Sequence, residues 1–118
     1  GAVVVDVNGV FAVAASTGGA VPMLVGRVGD TPMIGCGFYA GPAGAVAATG
    51  IGEEIVRRML AKKVYEGFCE GGDVQSECRD GIGLFEADIP VGLIGISGRG
   101  YAVSSNRPMA HYAMVREI

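Results

Sequence analysis

The sequence predicts an α+β domain in which helices pack against a largely antiparallel sheet. Strand patterns come first along the chain, helical patterns occupy its middle, and strand patterns return after residue 88. The 21 Gly and 5 Pro among 118 residues favour short elements joined by tight turns and argue against helical bundles. Hydrophobic residues make up 50% of the chain, which is enough for a core, so residues 1–118 are expected to form a single unit.

An antiparallel hairpin is predicted at the start of the chain. The apolar runs 2–7 and 10–15 flank Asn8-Gly9, a dipeptide that favours a two-residue hairpin turn. Both runs are nearly continuous in Val, Ala and Phe, so we expect both faces of the hairpin to be covered. Gly and Pro then recur through residues 18–32, which are predicted to form a long, functional loop.

Two short strands and a helix are predicted next. Residues 33–39 and 44–48 have strand patterns and are joined through Gly41-Pro42. Apolar residues at three- and four-residue steps predict a helix over residues 53–66. This helix carries two acid–base pairs at favourable i,i+4 spacing, Glu53–Arg57 and Glu54–Arg58.

A second helical pattern runs from an Asp73 cap to about residue 87, although Gly81 and Gly83 interrupt it. Strand patterns return at residues 91–97, 101–105 and 110–116, and a turn at residues 98–100 joins the first two.

Composition and charge exclude several functions. The net charge is −3 and the basic residues do not cluster, so the electrostatic footprint of a nucleic-acid-binding protein is missing. No apolar stretch approaches the roughly 18 residues of a membrane span. Neither a nucleic acid nor a membrane is therefore an expected partner.

Cysteine and histidine content argues against a metal centre. Cys36, Cys69 and Cys78 form an odd set without CxxC spacing, which disfavours a disulfide framework and a thiolate zinc site and favours a reducing, cytoplasmic compartment. The single histidine, His111, excludes a multi-His site within this chain and is expected to be a C-terminal strand residue without a catalytic role. No metal or cofactor is predicted.

Two glycine-containing segments differ in what they indicate. Residues 35–40 (GCGFYA) match G-x-G-x-x-A, but Gly41-Pro42 follow at once where a dinucleotide-binding motif needs a helix. Residues 49–53 (TGIGE) lie between a predicted strand and the helix start, where free backbone amides can meet a developing oxyanion. The alternative is that Thr49 only caps the helix and the glycines only form a turn.

Polar side chains in the early loops are further candidates. Ser16 and Thr17 follow a predicted strand beside Gly18-Gly19, where a hydroxyl can serve catalysis or simply stabilise a turn. Arg27 and Asp30 can bind the carboxylate and ammonium groups of an amino-acid-like ligand, or form a local ion pair that holds the loop.

Several of these segments occur in the order and spacing of the plant-type L-asparaginase/isoaspartyl peptidase family, which the sequence resembles. They are residues 1–3, 16–19, 26–32, 35–40 and 48–53 (GAV, STGG, GRVGDTP, GCGFYA and ATGIGE). The resemblance is strong over residues 1–60 and returns loosely near the C-terminal strands, where Met109 fits the family's ending.

The resemblance implies an αββα sandwich of the N-terminal-nucleophile hydrolase type, produced as a precursor that cleaves itself into α and β subunits. This chain resembles the β-subunit half, with an α subunit from the same precursor completing the sandwich in an (αβ)2 assembly. In the family the β chain begins with a threonine that attacks the substrate and uses its own amino group as base. That threonine would stand two positions before Gly1.

The resemblance also implies roles for individual residues. Thr17 would support the nucleophile by hydrogen bonding, while Arg27 and Asp30 would bind the α-carboxylate and α-amino groups of the substrate. Thr49 and Gly50 would form the oxyanion hole, and Gly52 would line the substrate pocket through its backbone. The expected substrates are L-asparagine and β-aspartyl dipeptides.

Two alternatives to this activity stay open. A glycosylasparaginase is one, although the segment Thr17-Gly18-Gly19 disfavours it, because that group carries Asn at the second Gly position. The other is a non-catalytic aspartate-binding module, which the absence of a leading threonine allows.

Overall fold

The computed structural model describes residues 1–116 as two antiparallel sheets and a layer of helices. The elements, in chain order, are β1 (Ala2–Val5), β2 (Phe11–Ala14), β3 (Phe38–Gly41), β4 (Gly44–Gly50), α1 (Gly52–Arg58), α2 (Leu60–Cys69), α3 (Val74–Ile82), β5 (Val91–Ser97) and β6 (Gly100–Ser105). The predicted α+β class is confirmed. Strands β3, β4, β5 and β6 form one sheet in that order, while β1 and β2 form a separate hairpin.

One face of the four-stranded sheet packs against the helices. Helix α2 contacts β3 and β4, and α3 contacts β5 and β6. Glycines permit a close approach: a Cβ at Gly95 of β5 would lie 2.9 Å from Cys78 Sγ and 3.1 Å from Phe68 Cζ. The core is formed mainly by these helices and strands, with Val46, Ile55, Leu60, Val64, Cys78 and Val91 at its most buried positions.

The opposite face of the sheet packs against the hairpin. Both β1 and β2 contact β4, and a Cβ at Gly1 would lie only 2.6 Å from Ala47 Cβ. Because side chains alternate along a strand, Ala47 faces the hairpin while Val46 lies in the helix-packed core. The molecule therefore has a helix layer, a four-stranded sheet and a two-stranded sheet.

The expectation that the hairpin is covered on both faces is not met within residues 1–116. Val3, Phe11 and Val13 are half-buried, whereas the alternate residue Val4 is 56% exposed. The connection is also wider than the predicted two-residue turn, since β1 ends at Val5 and β2 begins at Phe11. The Asp6 carboxylate holds this wider turn by accepting hydrogen bonds from the amides of Asn8 and Val10, at 2.9 and 2.8 Å.

Hydrogen bonds between residues 33–37 and the start of α2 accompany two differences from the predictions. These concern the strand predicted for residues 33–39 and the single helix predicted for residues 53–66. Residues 33–37 form turns and one isolated bridge instead of a strand, and two carbonyl groups among them accept hydrogen bonds from the first turn of α2. Ala61 N–H donates to Cys36 O at 3.1 Å and Lys62 N–H donates to Gly35 O at 2.9 Å. The helix breaks at Met59, which has a left-handed conformation (φ 45°), and then continues to Cys69.

Two further boundaries differ from the predictions. The Asp73 cap is confirmed, because its carboxylate accepts a hydrogen bond from Ser76 N–H at 3.0 Å, but α3 ends at Ile82 rather than near residue 87, with turns following Gly83. The strand predicted for residues 110–116 is wrong. From residue 107 to residue 116 the chain forms no helix or strand; Pro108 has no amide hydrogen with which to continue the sheet.

No helix within residues 1–116 combines the length and apolar character needed to cross a bilayer.

Candidate active site

A pocket of about 160 Å³ lies where the long loop meets the end of β4 and the start of β1. Its lining includes five of the six residues to which the resemblance assigns roles, Thr17, Arg27, Asp30, Thr49 and Gly50, together with the candidate hydroxyl of Ser16. Gly1 lines the same pocket. The sixth residue, Gly52, is buried at the start of α1 in contact with two of them.

Arg27 is oriented by an acid from the first helix. Its Nε and Nη2 donate to the same oxygen, Glu53 Oε1, at 3.1 and 2.9 Å, and its side chain is 25% exposed. A backbone hydrogen bond and the Arg27 guanidinium lower the pKa of Glu53. One edge of the guanidinium is thus held by the protein at the pocket.

Two ion pairs considered from the sequence are therefore not formed. Among the described residues Arg27 pairs with Glu53 and not with Asp30, so the local ion pair in the loop is absent. The predicted pair of Glu53 with Arg57 is absent for the same reason. The predicted Glu54–Arg58 pair is present at 2.6 Å, and Glu54 also contacts Arg57 at 3.1 Å.

Asp30 is a buried carboxylate without a full set of partners. Its residue is only 7% exposed, and its Oδ2 has no hydrogen-bond partner within residues 1–116. Burial raises the pKa of Asp30, while a backbone hydrogen bond and the nearby Arg27 charge oppose this shift. An unpaired buried acceptor costs free energy, so its hydrogen bonding is expected to be completed by a group outside residues 1–116.

The backbone around Asp30 is held firmly. Its carbonyl oxygen accepts hydrogen bonds from the amides of Met33 and Gly37, at 2.9 and 3.1 Å. Gly37 has no space for a side chain, because a Cβ there would lie 2.5 Å from the same carbonyl oxygen. The carboxylate is therefore presented from a turn with little freedom to move away from the pocket.

The end of β4 brings Thr49 and Gly50 to the pocket. They pair with Gly92 and Val91 of β5, and both are exposed. Gly50 has φ 147°, and a Cβ there would lie 2.4 Å from Pro90 O, so this position requires glycine. Thr49 does not cap the helix, because Ile51 occupies the cap position of α1 and no side chain bonds there.

Thr17 takes part in a turn and also faces the pocket. Its Oγ1 accepts a hydrogen bond from Gly19 N–H at 2.9 Å, the turn interaction expected from the sequence. A hydroxyl that accepts one hydrogen bond still has its hydrogen to donate. Both interpretations of Thr17 are therefore compatible with its position.

Comparison with known proteins shows which family this chain belongs to. A family model described as Asparaginase matches residues 1–117. The chain belongs to the asparaginase family. It is 40% identical over 117 residues to the plant-type L-asparaginase of Pyrobaculum calidifontis, covering 93% of this chain and 39% of that protein.

Animal members of the asparaginase family are also similar. The isoaspartyl peptidase/L-asparaginase of Homo sapiens is 40% identical over 103 residues, covering 85% of this chain and 33% of that protein. The isoaspartyl peptidase/L-asparaginase of Danio rerio is 52% identical over 65 residues, covering 54% and 21%. The resemblance found in the sequence is confirmed, and the chain spans at most 39% of the length of these relatives.

Sequence reasoning missed two residues that shape this asparaginase-family pocket. Glu53 was assigned to a helical pair, although it lies 26 residues from Arg27 and binds it across the loop. Gly29 packs beneath the guanidinium, since a Cβ there would lie 2.9 Å from Arg27 Nη1. The only local sequence signal for the role of Glu53 is the presence of two acids in the first turn of α1. Acids at that position are explained equally well by their favourable interaction with the helix dipole.

Proposed function

We propose that the complete protein containing this chain is an amidohydrolase. It hydrolyses L-asparagine to aspartate and ammonia, and it hydrolyses the isopeptide bond of β-aspartyl dipeptides. The observation that carries this proposal is the pairing, in one small pocket, of the Arg27 cation with the unpartnered Asp30 carboxylate. The relatives named L-asparaginase and isoaspartyl peptidase support it.

The two charges suit the backbone groups of an amino-acid substrate. Arg27 binds the α-carboxylate with the guanidinium N–H groups that Glu53 does not use, and Asp30 accepts hydrogen bonds from the α-ammonium group. Binding then supplies the missing partner of Asp30 Oδ2. The side-chain amide or isopeptide of the same substrate extends toward Thr49, Gly50 and Gly1, which line the remainder of the pocket.

The nucleophile in this proposal is a threonine two positions before Gly1. Two residues of extended chain span at most about 7 Å, so a residue there reaches the pocket that Gly1 lines. Its hydroxyl oxygen attacks the side-chain carbonyl carbon while its free α-amino group accepts the proton. Thr17 donates a hydrogen bond to this nucleophile.

Thr49 Oγ–H and Gly50 N–H stabilise the oxyanion that forms on the carbonyl oxygen. Collapse of the tetrahedral intermediate breaks the C–N bond, and the proton held by the α-amino group leaves with the ammonia or amine. Water then attacks the acyl-enzyme ester and releases aspartate. No cofactor takes part in this scheme.

The same proposal includes the assembly. This chain is the β-subunit half of an αββα sandwich, an α subunit released from the same precursor by autocatalytic cleavage covers it, and two such pairs form an (αβ)2 heterotetramer. The exposed side of the hairpin supports a covering layer, since Val4 of β1 and also Val7 and Val10 of the β1–β2 connection are exposed. Three unpaired cysteines within residues 1–116 support a reducing, cytoplasmic location.

Expression of the full-length protein, followed by intact mass, N-terminal sequencing and product analysis, tests this proposal. We expect two polypeptides, the second beginning with threonine two residues before Gly1. We expect aspartate release from L-asparagine and from a β-aspartyl dipeptide. Turnover of glycoasparagine alone would instead indicate a glycosylasparaginase, and aspartate binding without turnover would indicate a non-catalytic module.

Gly52 offers a test of pocket geometry that removes no polar group. In a Gly52→Ala variant the added methyl would lie 2.9 Å from Asp30 Oδ1 and 3.0 Å from Arg27 Nη2. Displacing these two groups should raise KM for L-asparagine about tenfold in steady-state assays. Gly98→Ala is the matched control, because a Cβ at Gly98 meets no heavy atom within 4 Å. Equal KM values for both variants would contradict the assigned substrate position.

A further inference from the structure

The side chain of Asn106 bridges two backbone groups on either side of Pro90. Asn106 Oδ1 accepts a hydrogen bond from Val91 N–H at 2.9 Å, and Asn106 Nδ2 donates to Ile89 O at 2.7 Å. The amide orientation is fixed by these partners, since Val91 N–H can only donate and Ile89 O can only accept. Asn106 N–H also donates to Val91 O at 3.2 Å, so three hydrogen bonds hold this connection.

The connection held by Asn106 lies directly behind the end of β4. Pro90 O, which stands between the two bridged residues, accepts a hydrogen bond from Ile51 N–H at 3.3 Å. The same oxygen is in close contact with Gly50, where a Cβ would lie 2.4 Å from it. Pro90 thus fixes both the position of the Gly50 backbone and the direction of the turn into α1.

A second contact from the same C-terminal segment supports this arrangement. Met109 covers Gly92, where a Cβ would lie 2.2 Å from Met109 Sδ and 3.4 Å from Thr49 Cγ2. Gly92 is the strand partner of Thr49. The segment after β6 therefore supports both oxyanion residues indirectly. Met109 packs on Gly92, the strand partner of Thr49, and Asn106 holds the connection at Pro90, which contacts Gly50.

We infer that Asn106 is a positioning residue for the oxyanion site, acting through Pro90 on the Gly50 amide. The inference rests on the function proposed above and extends it to a side chain that does not line the pocket. An oxyanion donor must point to where charge develops in the transition state, so a displaced Gly50 N–H affects turnover more than substrate binding. Asn106 therefore acts on kcat, whereas Arg27 and Asp30 act on substrate affinity.

Asn106→Asp in the full-length protein is the most direct test. The aspartate still accepts from Val91 N–H, but its second oxygen faces Ile89 O and repels it, so Pro90 shifts. We expect kcat for L-asparagine, per active site, to fall about ten- to a hundredfold with KM nearly unchanged. Hydrogen exchange of the Ile51 amide should become faster in the same variant. Asn106→Ala removes both side-chain hydrogen bonds without adding charge and should show the same separation of kcat from KM.

Gln75→Ala is the matched control. Gln75 Nε2 donates to Ser104 Oγ at 3.1 Å, so this variant also loses a side-chain amide hydrogen bond to β6, but away from Pro90. Its kcat and Ile51 exchange should match the wild type. The inference is overturned if both Asn106 variants keep the wild-type kcat. It is also overturned if Gln75→Ala lowers kcat as much as the Asn106 variants do.

The two proposals fail in different ways. A wild-type protein that releases no aspartate from any substrate refutes the proposed function. Unchanged Ile51 exchange in Asn106→Asp refutes the positioning role whether or not the protein is active.

Discussion

The Arg27→Ala variant should lose about a thousandfold in kcat/KM for L-asparagine, equivalent to about 4 kcal/mol. The substitution removes the cation proposed to bind the α-carboxylate and also leaves Glu53, its partner at 2.9 Å, as an anion without that cation beside the pocket. Both consequences oppose the binding of a carboxylate. Steady-state kinetics of the full-length protein, with folding monitored by circular dichroism, measure the effect.

Arg57→Ala separates this effect from a general loss of charge. Arg57 is an arginine of the same neighbourhood whose side chain is 75% exposed and pairs only with Glu54 among the described residues. Its removal should change kcat/KM less than about twofold. Arg27→Lys should give an intermediate loss, because lysine keeps the charge but not the planar fork that binds Glu53 and a carboxylate together. A wild-type kcat/KM in Arg27→Ala would refute the assigned carboxylate site.

Strands β5 and β6 could be predicted because they depend on local sequence. Strands β5 and β6 are apolar runs bounded by Pro90, Gly98 and Gly100, and their ends lie within a residue of the prediction. The break at Met59 could not be predicted, since it depends on carbonyl groups of Gly35 and Cys36 that are distant in sequence. Periodicity reports which helix face is buried, and it does not report what binds the first-turn amides.

The candidate site residues could be chosen from residue types and their order along the chain. The contacts among those residues could not be predicted in this way. Thr17, Arg27, Asp30, Thr49 and Gly50 were singled out from the sequence and do line one pocket. The partner of Glu53 was predicted incorrectly, because helical spacing offered Arg57 as a nearer candidate than Arg27. The orphaned oxygen of Asp30 had no sequence signal, since burial of a loop carboxylate arises only when the loop packs onto β4 and α1.

The Asp30→Asn variant should lose activity and gain stability. Replacing the carboxylate with an amide removes the negative charge proposed to bind the substrate ammonium and should lower kcat/KM for L-asparagine at least about a hundredfold. The free energy of unfolding at pH 7 should rise by roughly 1 kcal/mol. The reason is that a neutral amide takes the place of a buried carboxylate, one oxygen of which has no hydrogen-bond partner within residues 1–116. Such opposed changes are expected where a binding site keeps an unfavourable group for its ligand.

The pH dependence of unfolding tests independently whether the ionised Asp30 carboxylate destabilises the folded protein. Burial raises the pKa of Asp30 in the folded protein above its ordinary value of 3.8. Well below pH 3.8 the group is protonated in both states. Between pH 3.8 and the higher folded-state pKa the unfolded chain has released a proton that the folded protein still holds, so the free energy of unfolding falls as pH rises. The stability advantage of Asp30→Asn should therefore be present at pH 7 and shrink as pH falls toward 3.8, as measured by urea unfolding. Asp88→Asn, at an exposed carboxylate, should show neither the gain nor the loss of activity. A constant advantage at all pH values would mean that the ionised carboxylate is not its cause.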